Sequence, residues 1–147
     1  MIILVNKWDL ASGTNVSAEL YKEDMYMEFK DLQHYPILFV SALTKRRVSN
    51  ILEIAWEIFT KQRDKLSTKE LNVWIEKAVR NYPPPATQGK SIEIKFVEQV
   101  QKSPPIFALF SNYPKLISIQ YLRYLHNQLR ESFDLKGITI KFSLRKG

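Results

Sequence analysis

Apolar residues along this chain form short runs and periodic stripes, and the first half alternates two such runs with two helical patterns. The runs Met1–Val5 and Pro36–Val40 are continuous and of strand length, which is typical of strands buried on both faces of a parallel sheet. Between them, Ser17 is a candidate N-cap for a helix that ends before Pro36. A second helix follows, and its apolar stripe predicts that Trp56 lies in the core. This order predicts a β-α-β-α unit with parallel strands and a right-handed crossover.

The second half has patterns in which only one face of each element is apolar. Ser67-Thr68-Lys69-Glu70 matches a capping box and begins a helix that Pro83-Pro84-Pro85 ends. Three strand patterns and one more amphipathic helix follow, in this order: Ile92–Phe96, Ile106–Phe110, the helix over 118–133, and Ile138–Leu144. We expect the second of these strands to be central, because it is the most apolar, and residues 99–105 to form a polar turn.

The two halves predict two units that meet in the charged segment 61–66. Residues 1–63 read as an α/β unit, β-α-β-α with parallel strands, and residues 64–147 as an α+β unit, α-β-β-α-β. One three-stranded sheet covered by two helices is the layout of a KH-like domain. The GXXG loop with which ordinary KH modules clamp a nucleic-acid backbone is absent, because no two glycines have that spacing.

The first strand runs directly into a short polar motif, Asn6-Lys7-Trp8-Asp9, which resembles the guanine-reading Asn-Lys-x-Asp motif of GTP-binding proteins. Ligands of open α/β sheets bind at the carboxyl ends of the strands, where this motif is expected to lie. The Asp9 carboxylate can accept hydrogen bonds from the ring N–H and the amino group of guanine, a donor pair that adenine lacks. The stem of Lys7 can lie against the base, and the Asn6 amide can bond the base edge and tie neighbouring loops together. The alternative is an ordinary turn, since Asn and Asp favour turns.

A second strand end supports the guanine interpretation. The run Pro36–Val40 leads into Ser41-Ala42-Leu43, which resembles the second guanine-contacting loop of the same proteins, where a backbone N–H meets the base oxygen. Two units of strand plus loop, separated by one helix-length segment, are much more specific than either motif alone. We therefore predict that Ser41, Ala42 and Leu43 complete a base pocket with the first motif.

Composition restricts the classes of function. The chain has 147 residues, 45% of them hydrophobic and none of them cysteine, so a packed core is expected and disulfides or thiolate metal sites are excluded. No apolar run is long enough to span a bilayer, and the first run is too short for a signal peptide. His34 and His126 are far apart in sequence and have no ligand spacing, so we predict no metal site.

The net charge of +7 belongs to the second half. Residues 64–147 contain 14 Lys and Arg against 7 Asp and Glu, whereas residues 1–63 contain 8 of each. A basic small domain favours polyanions such as RNA, although a solvated lysine-rich surface is the alternative. The candidate RNA-binding residues are Arg123, Arg130, Lys141, Arg145 and Lys146.

Taken in order, these features resemble the C-terminal portion of a Der (EngA) GTPase. The matching stretches are VNKWD, ILFVSALTKRRV, KLSTKELNVWIEKAV with YPPP, QVQKSPPIFALF, YLRYLHNQLRESF and the terminal SLRK. The resemblance implies a tandem pair of GTPase domains followed by a KH-like domain, acting in assembly of the large ribosomal subunit. It also implies GTP or GDP with magnesium as ligands of the parent protein, ribosomal RNA as a partner, and an interior location in a bacterium or in an organelle matrix or stroma.

The chain departs from the family pattern in one respect that decides the enzyme question. It contains no GxxxxGK[ST] phosphate loop, no switch segments and no magnesium-binding aspartate. We therefore expect a piece of a longer protein that binds nucleotide weakly and hydrolyses none. The open edge of strand Ile2–Val5 predicts self-association, or mobility of residues 1–40. The alternative function is a stand-alone basic RNA-binding or protein-interaction module with no nucleotide role.

Overall fold

A computed structural model describes all residues, Met1–Gly147. Its helices and strands follow the two predicted orders, so the fold class, an α/β part followed by an α+β KH-like part, is confirmed. The elements are β1 (Ile3–Val5), α1 (Ala18–Glu28), β2 (Ile37–Phe39), α2 (Val48–Gln62), α3 (Thr68–Asn81), β3 (Ile94–Gln101), β4 (Ile106–Ser111), α4 (Ile119–Ser132) and β5 (Lys141–Lys146).

The chain forms two compact units. The first consists of Met1–Lys61 with Lys136–Ile138, and the second of Gln62–Leu135 with Thr139–Gly147. That residues 1–63 and 64–147 are separate domains stays a prediction.

In the first unit, β1 and β2 are parallel, with Ile3 opposite Ile37 and Val5 opposite Phe39. The hydroxyl of Ser17 accepts a hydrogen bond from the Leu20 N–H at 3.1 Å, so this residue caps α1 as predicted.

The prediction that Trp56 lies in the core is wrong. Its side chain is 66% exposed, and α2 contributes no buried residue. Ile51, Ile54 and Ile58 of α2 are half-buried, whereas Leu52, Trp56 and Phe59 on the adjoining side of the helix are exposed, so only part of the apolar stripe is covered. Periodicity identifies the stripe and does not identify what packs against it.

The second unit has a mixed three-stranded sheet in the order β3-β4-β5. β3 and β4 are antiparallel, β4 and β5 are parallel, and β4 is central as predicted. The largest core side chains come from α3, β4 and α4 and are completely or almost completely buried: Leu71, Ile75, Phe107, Leu109, Tyr121, Leu125 and Leu129. Burying each such aliphatic side chain stabilises the fold by about 1.5–3 kcal/mol.

Three local predictions in the second unit are wrong. Strand β3 continues to Gln101, through residues predicted to form a polar turn. Gln99 is 2% exposed, and its Oε1 accepts from the Leu66 N–H at 2.8 Å, so this polar residue belongs to the interior. Strand β5 begins at Lys141 rather than Ile138, and Ser67 occupies the N-cap of α3 without a capping hydrogen bond from its side chain.

Candidate functional site

The carboxyl ends of β1 and β2 lie side by side, because the two strands are parallel and in register. Two backbone hydrogen bonds extend the pairing beyond the strands: Val40 N–H donates to the Val5 carbonyl at 2.9 Å, and Trp8 N–H donates to the Val40 carbonyl at 3.0 Å. The segments Asn6–Asp9 and Ser41–Leu43 therefore leave the same edge of the sheet as neighbours.

A side-chain hydrogen bond joins these two segments. The Oδ1 of Asn6 accepts from the Ala42 N–H at 3.1 Å, across 36 residues of sequence. This is the loop-tying contact that the sequence predicts for the Asn6 amide. It fixes which parts of the two loops face each other.

The backbone turns sharply at Lys7, which has a left-handed conformation with φ of 60°. The turn leads into a 3-10 segment, Trp8–Ala11, and the Lys7 side chain remains exposed. The indole of Trp8 packs at 4.3 Å from the Phe39 ring centroid and 5.7 Å from that of Tyr21. The sequence reasoning gave no role to Trp8. Its aromatic contacts to β2 and α1 hold the loop, and an aromatic residue inside such a motif is the signal that could have indicated this.

Asp9 carries the most informative feature of the site. Its Oδ1 is buried and has no hydrogen-bond partner. An Asp acting only as a turn former would satisfy its carboxylate with a nearby backbone N–H. A buried acceptor without a partner costs about 1–3 kcal/mol.

The second segment combines a buried anchor with an exposed tip. Ser41 is 1% exposed; its hydroxyl accepts from the Thr44 N–H at 3.2 Å, and its N–H donates to the Arg46 carbonyl. Leu43 is 85% exposed. The hydrogen bonds of Ser41 hold the loop in place, while Ala42 and Leu43 face solvent. A loop that contacts a flat ligand needs both a fixed backbone and an accessible tip.

The five predicted RNA-binding cations do not form one patch. All three β5 cations are exposed, but Lys141 and Arg145 lie on one face of the sheet and Lys146 on the other. Arg123 is exposed on α4, which packs against the face that carries Phe142. Arg130, the fifth candidate, is half-buried. Its Nη1 donates to the Leu135 carbonyl at 2.7 Å, and its Nε donates to His126 Nδ1. Arg130 thus stabilises the chain after α4.

No group of three or more His, Cys, Asp or Glu side chains is arranged to hold a metal ion. None of the helices is long and apolar enough to cross a bilayer.

Comparison with known proteins defines the class to which this fold and site belong. A family model described as the KH-domain-like, C-terminal domain of EngA bacterial GTPase enzymes matches residues 65–145. The chain therefore belongs to the EngA family of bacterial GTPases, in the part of the family's sequence that carries the KH-like domain.

Individual relatives match almost the whole chain. It is 40% identical over 146 residues to GTPase Der of Amoebophilus asiaticus, covering 99% of this chain and 34% of that protein. It is 38% identical to GTPase Der of Flavobacterium johnsoniae, and that match covers 99% of this chain and 33% of the relative. It is 42% identical to GTPase Der of Fusobacterium nucleatum, and that match covers 97% of this chain and 33% of the relative. The chain spans about a third of the length of these relatives.

Proposed function

We propose that the first unit recognises the guanine base of GTP or GDP, and that the second unit contacts RNA, within a protein that acts in assembly of the large ribosomal subunit. The observation that carries the nucleotide part is the buried, unpartnered Oδ1 of Asp9 beside two tied loops. The names of the relatives support a GTPase as the whole protein. Their bacterial origin supports a cytoplasmic setting.

Selectivity for guanine follows from the hydrogen-bonding chemistry of Asp9. A carboxylate is an acceptor only, and guanine presents two adjacent donors, its N1–H and its 2-amino group. Adenine presents no such pair, so its binding would leave the buried Asp9 oxygen unsatisfied, at a cost of about 1–3 kcal/mol. The pocket should therefore prefer guanosine nucleotides about 5-fold to about 100-fold over adenosine nucleotides.

The other predicted residues have distinct roles in this pocket. The exposed stem of Lys7 covers one face of the base and keeps its ammonium in water. Asn6 holds the Ser41–Leu43 segment in position, and a backbone N–H of that segment donates to the base oxygen.

Hydrolysis is not part of the proposal for this chain. No phosphate loop occurs in the sequence, and no step depends on magnesium. Base contacts without phosphate contacts give weak binding, because most of the ligand remains in solvent.

Nuclear magnetic resonance titration of the labelled chain with GDP and with ADP tests the nucleotide part. The amide signals of Asn6, Asp9 and Leu43 should shift with GDP at lower concentrations than with ADP. Asp9→Ala should remove the difference between the two nucleotides, while Asp31→Ala, at an exposed position of the same unit, should preserve it. Equal shifts with GDP and ADP in the unmodified chain would contradict the guanine assignment.

The RNA part rests on the +7 charge of residues 64–147. Binding to ribosomal RNA should weaken steeply with salt, because each Lys or Arg at a phosphate releases counterions. Filter binding across about 50–200 mM salt measures the slope. Binding that is absent, or insensitive to salt, would argue against it.

A second candidate function is protein docking. Two apolar side chains of the second unit are largely exposed, Ile119 at 73% and Val73 at 60%, which favours a protein-contacting role for this unit. The other GTPase domain segments of the longer relatives are the natural partners for such a contact. Loss of association with those segments in an Ile119→Asp variant would support this alternative.

A further inference from the structure

One face of the three-stranded sheet in the second unit is not covered by helices. Along β4, Phe107 and Leu109 are fully buried toward the helices, whereas Phe110 points to the opposite face and is half-buried. Strand β3 has a register shift between Ile94 and Phe96. After this bulge Phe96 lies on the same open face as Phe110, and it is 40% exposed.

The open face carries an ordered aromatic column. The rings of Phe96 and Phe110 stack with centroids 4.1 Å apart and planes within 14° of parallel. The guanidinium of Arg145 lies 5.9 Å from the Phe110 centroid, on the neighbouring strand. Phe96 belongs to β3, an edge strand, so its outer ring face has no neighbouring strand and is the open end of the column.

Positive charge surrounds this column. Arg145 pairs with Phe110 and lies on this face, and the side chain of Lys95 lies beside Gly147. Lys146 pairs with Ser111 and lies on the opposite face. Lys141 lies further along the open face, because it pairs with Ile106. Glu98 is an acidic residue on this face, because it pairs with Ala108. Cations around an exposed aromatic ring suit a ligand that is both anionic and planar.

We propose that this face binds single-stranded RNA, with an unpaired base stacked on Phe96 and the adjoining phosphates held by Lys95 and Arg145. This proposal rests on the proposed RNA contact of the second unit and specifies its surface and the form of the RNA. The proposed binding mode differs from that of ordinary KH modules. Those modules clamp the nucleic-acid backbone with a GXXG loop, whereas this unit would stack a base on an aromatic side chain of its sheet. A protein segment could cover the same rings, but the surrounding cations favour a polyanion.

Fluorescence anisotropy of the full chain with a labelled oligoadenylate of about ten nucleotides tests the proposal. Phe96→Ala and Phe96→Leu should weaken binding about 5-fold to about 100-fold, because both remove the stacking ring. Phe96→Tyr should retain binding. Met27→Ala, which removes an exposed apolar side chain from α1, is the matched control and should leave binding unchanged.

The outcomes separate this inference from the RNA proposal itself. If the chain binds the oligonucleotide with a steep salt dependence but Phe96→Leu binds equally well, the stacking surface is wrong and the RNA proposal survives. If the chain binds no RNA, both are overturned. Equal binding of single-stranded and duplex RNA would also overturn the stacking surface, because duplex bases are not free to stack.

A second measurement does not depend on the folding of any variant. Ultraviolet crosslinking of the unmodified chain to the same oligonucleotide, read by mass spectrometry, should place an adduct on Phe96 or Phe110. Adducts confined to α4 would overturn the proposal. If Phe96→Leu instead abolishes self-association of the chain with no RNA effect, the face is a protein interface and the proposal fails.

Discussion

Replacing Asp9 by Asn should exchange the base preference of the pocket from guanine to xanthine. The substitution keeps the shape of the side chain and turns one of its two acceptors into a donor. Xanthine has a carbonyl where guanine has its 2-amino group, so the new amide can donate to that carbonyl and accept from N1–H. The same amide placed against guanine would oppose a donor with a donor.

The magnitude follows from the burial of the Asp9 oxygen. Its Oδ1 is buried and has no protein partner, so a mismatched group there cannot turn to another hydrogen bond. Losing one charge-assisted hydrogen bond to guanine and leaving a donor unsatisfied costs about 2–4 kcal/mol. This corresponds to about 30-fold to about 1000-fold weaker binding of the guanine nucleotide.

Competition titrations with GDP and XDP, followed by the amide signals of the two loops, measure the exchange. Asp31→Asn makes the same chemical change at an exposed position of the first unit and should leave the preference for GDP intact. The reasoning would be refuted if Asp9→Asn weakened GDP and XDP equally while the loops kept their native signals.

Three further predictions concern the fold that supports the two surfaces. Leu125→Ala, at a completely buried position of α4, should lower the free energy of unfolding by about 2–5 kcal/mol in urea titrations, and a loss below 1 kcal/mol would mean that the core differs from the one described. Burial, with the nearby Tyr124 and Tyr82, raises the pKa of Tyr121 above its usual 10.0, so above pH 10 the folded chain keeps a proton that the unfolded chain loses. The free energy of unfolding should therefore be unaffected by this group below pH 10 and should fall above it. Tyr121→Phe should reduce that loss of stability at alkaline pH, as measured by denaturant titrations at several pH values. The edge strand β1 should promote concentration-dependent association, which Leu4→Lys at a 46% exposed position should suppress in analytical ultracentrifugation; a monomeric unmodified chain would contradict this.

The sequence predicts that the Asn6–Asp9 and Ser41–Leu43 loops lie side by side, because the features that place them are local. Continuous apolar runs specify β1 and β2, and the polar residues that follow each strand lie at its end by chain connectivity alone. Parallel pairing then brings Asn6 and Ala42 together, as the 3.1 Å hydrogen bond shows. What could not be predicted is the burial of Asp9 Oδ1, because burial depends on three-dimensional packing that the local sequence does not specify.

The aromatic column was not predictable for a different reason. Alternation places Phe96 on the same face as Ile92 and Ile94, which are buried. The bulge after Ile94 reverses that assignment, and nothing in the local sequence marks it. The placement of the cations was not predictable for a similar reason. The sequence identifies Arg145 on a strand and Arg123 on a helix as equally basic, but it does not show that they lie on opposite sides of the sheet.

The central claim is that Asp9 reads guanine, and a structure of the chain with saturating GDP tests it most directly. The account predicts the base against the Lys7 stem, between the two tied loops, with the Asp9 carboxylate oxygens about 2.7–3.2 Å from N1 and the 2-amino nitrogen. A base bound elsewhere, or an Asp9 carboxylate that bonds only protein donors in the complex, would contradict it.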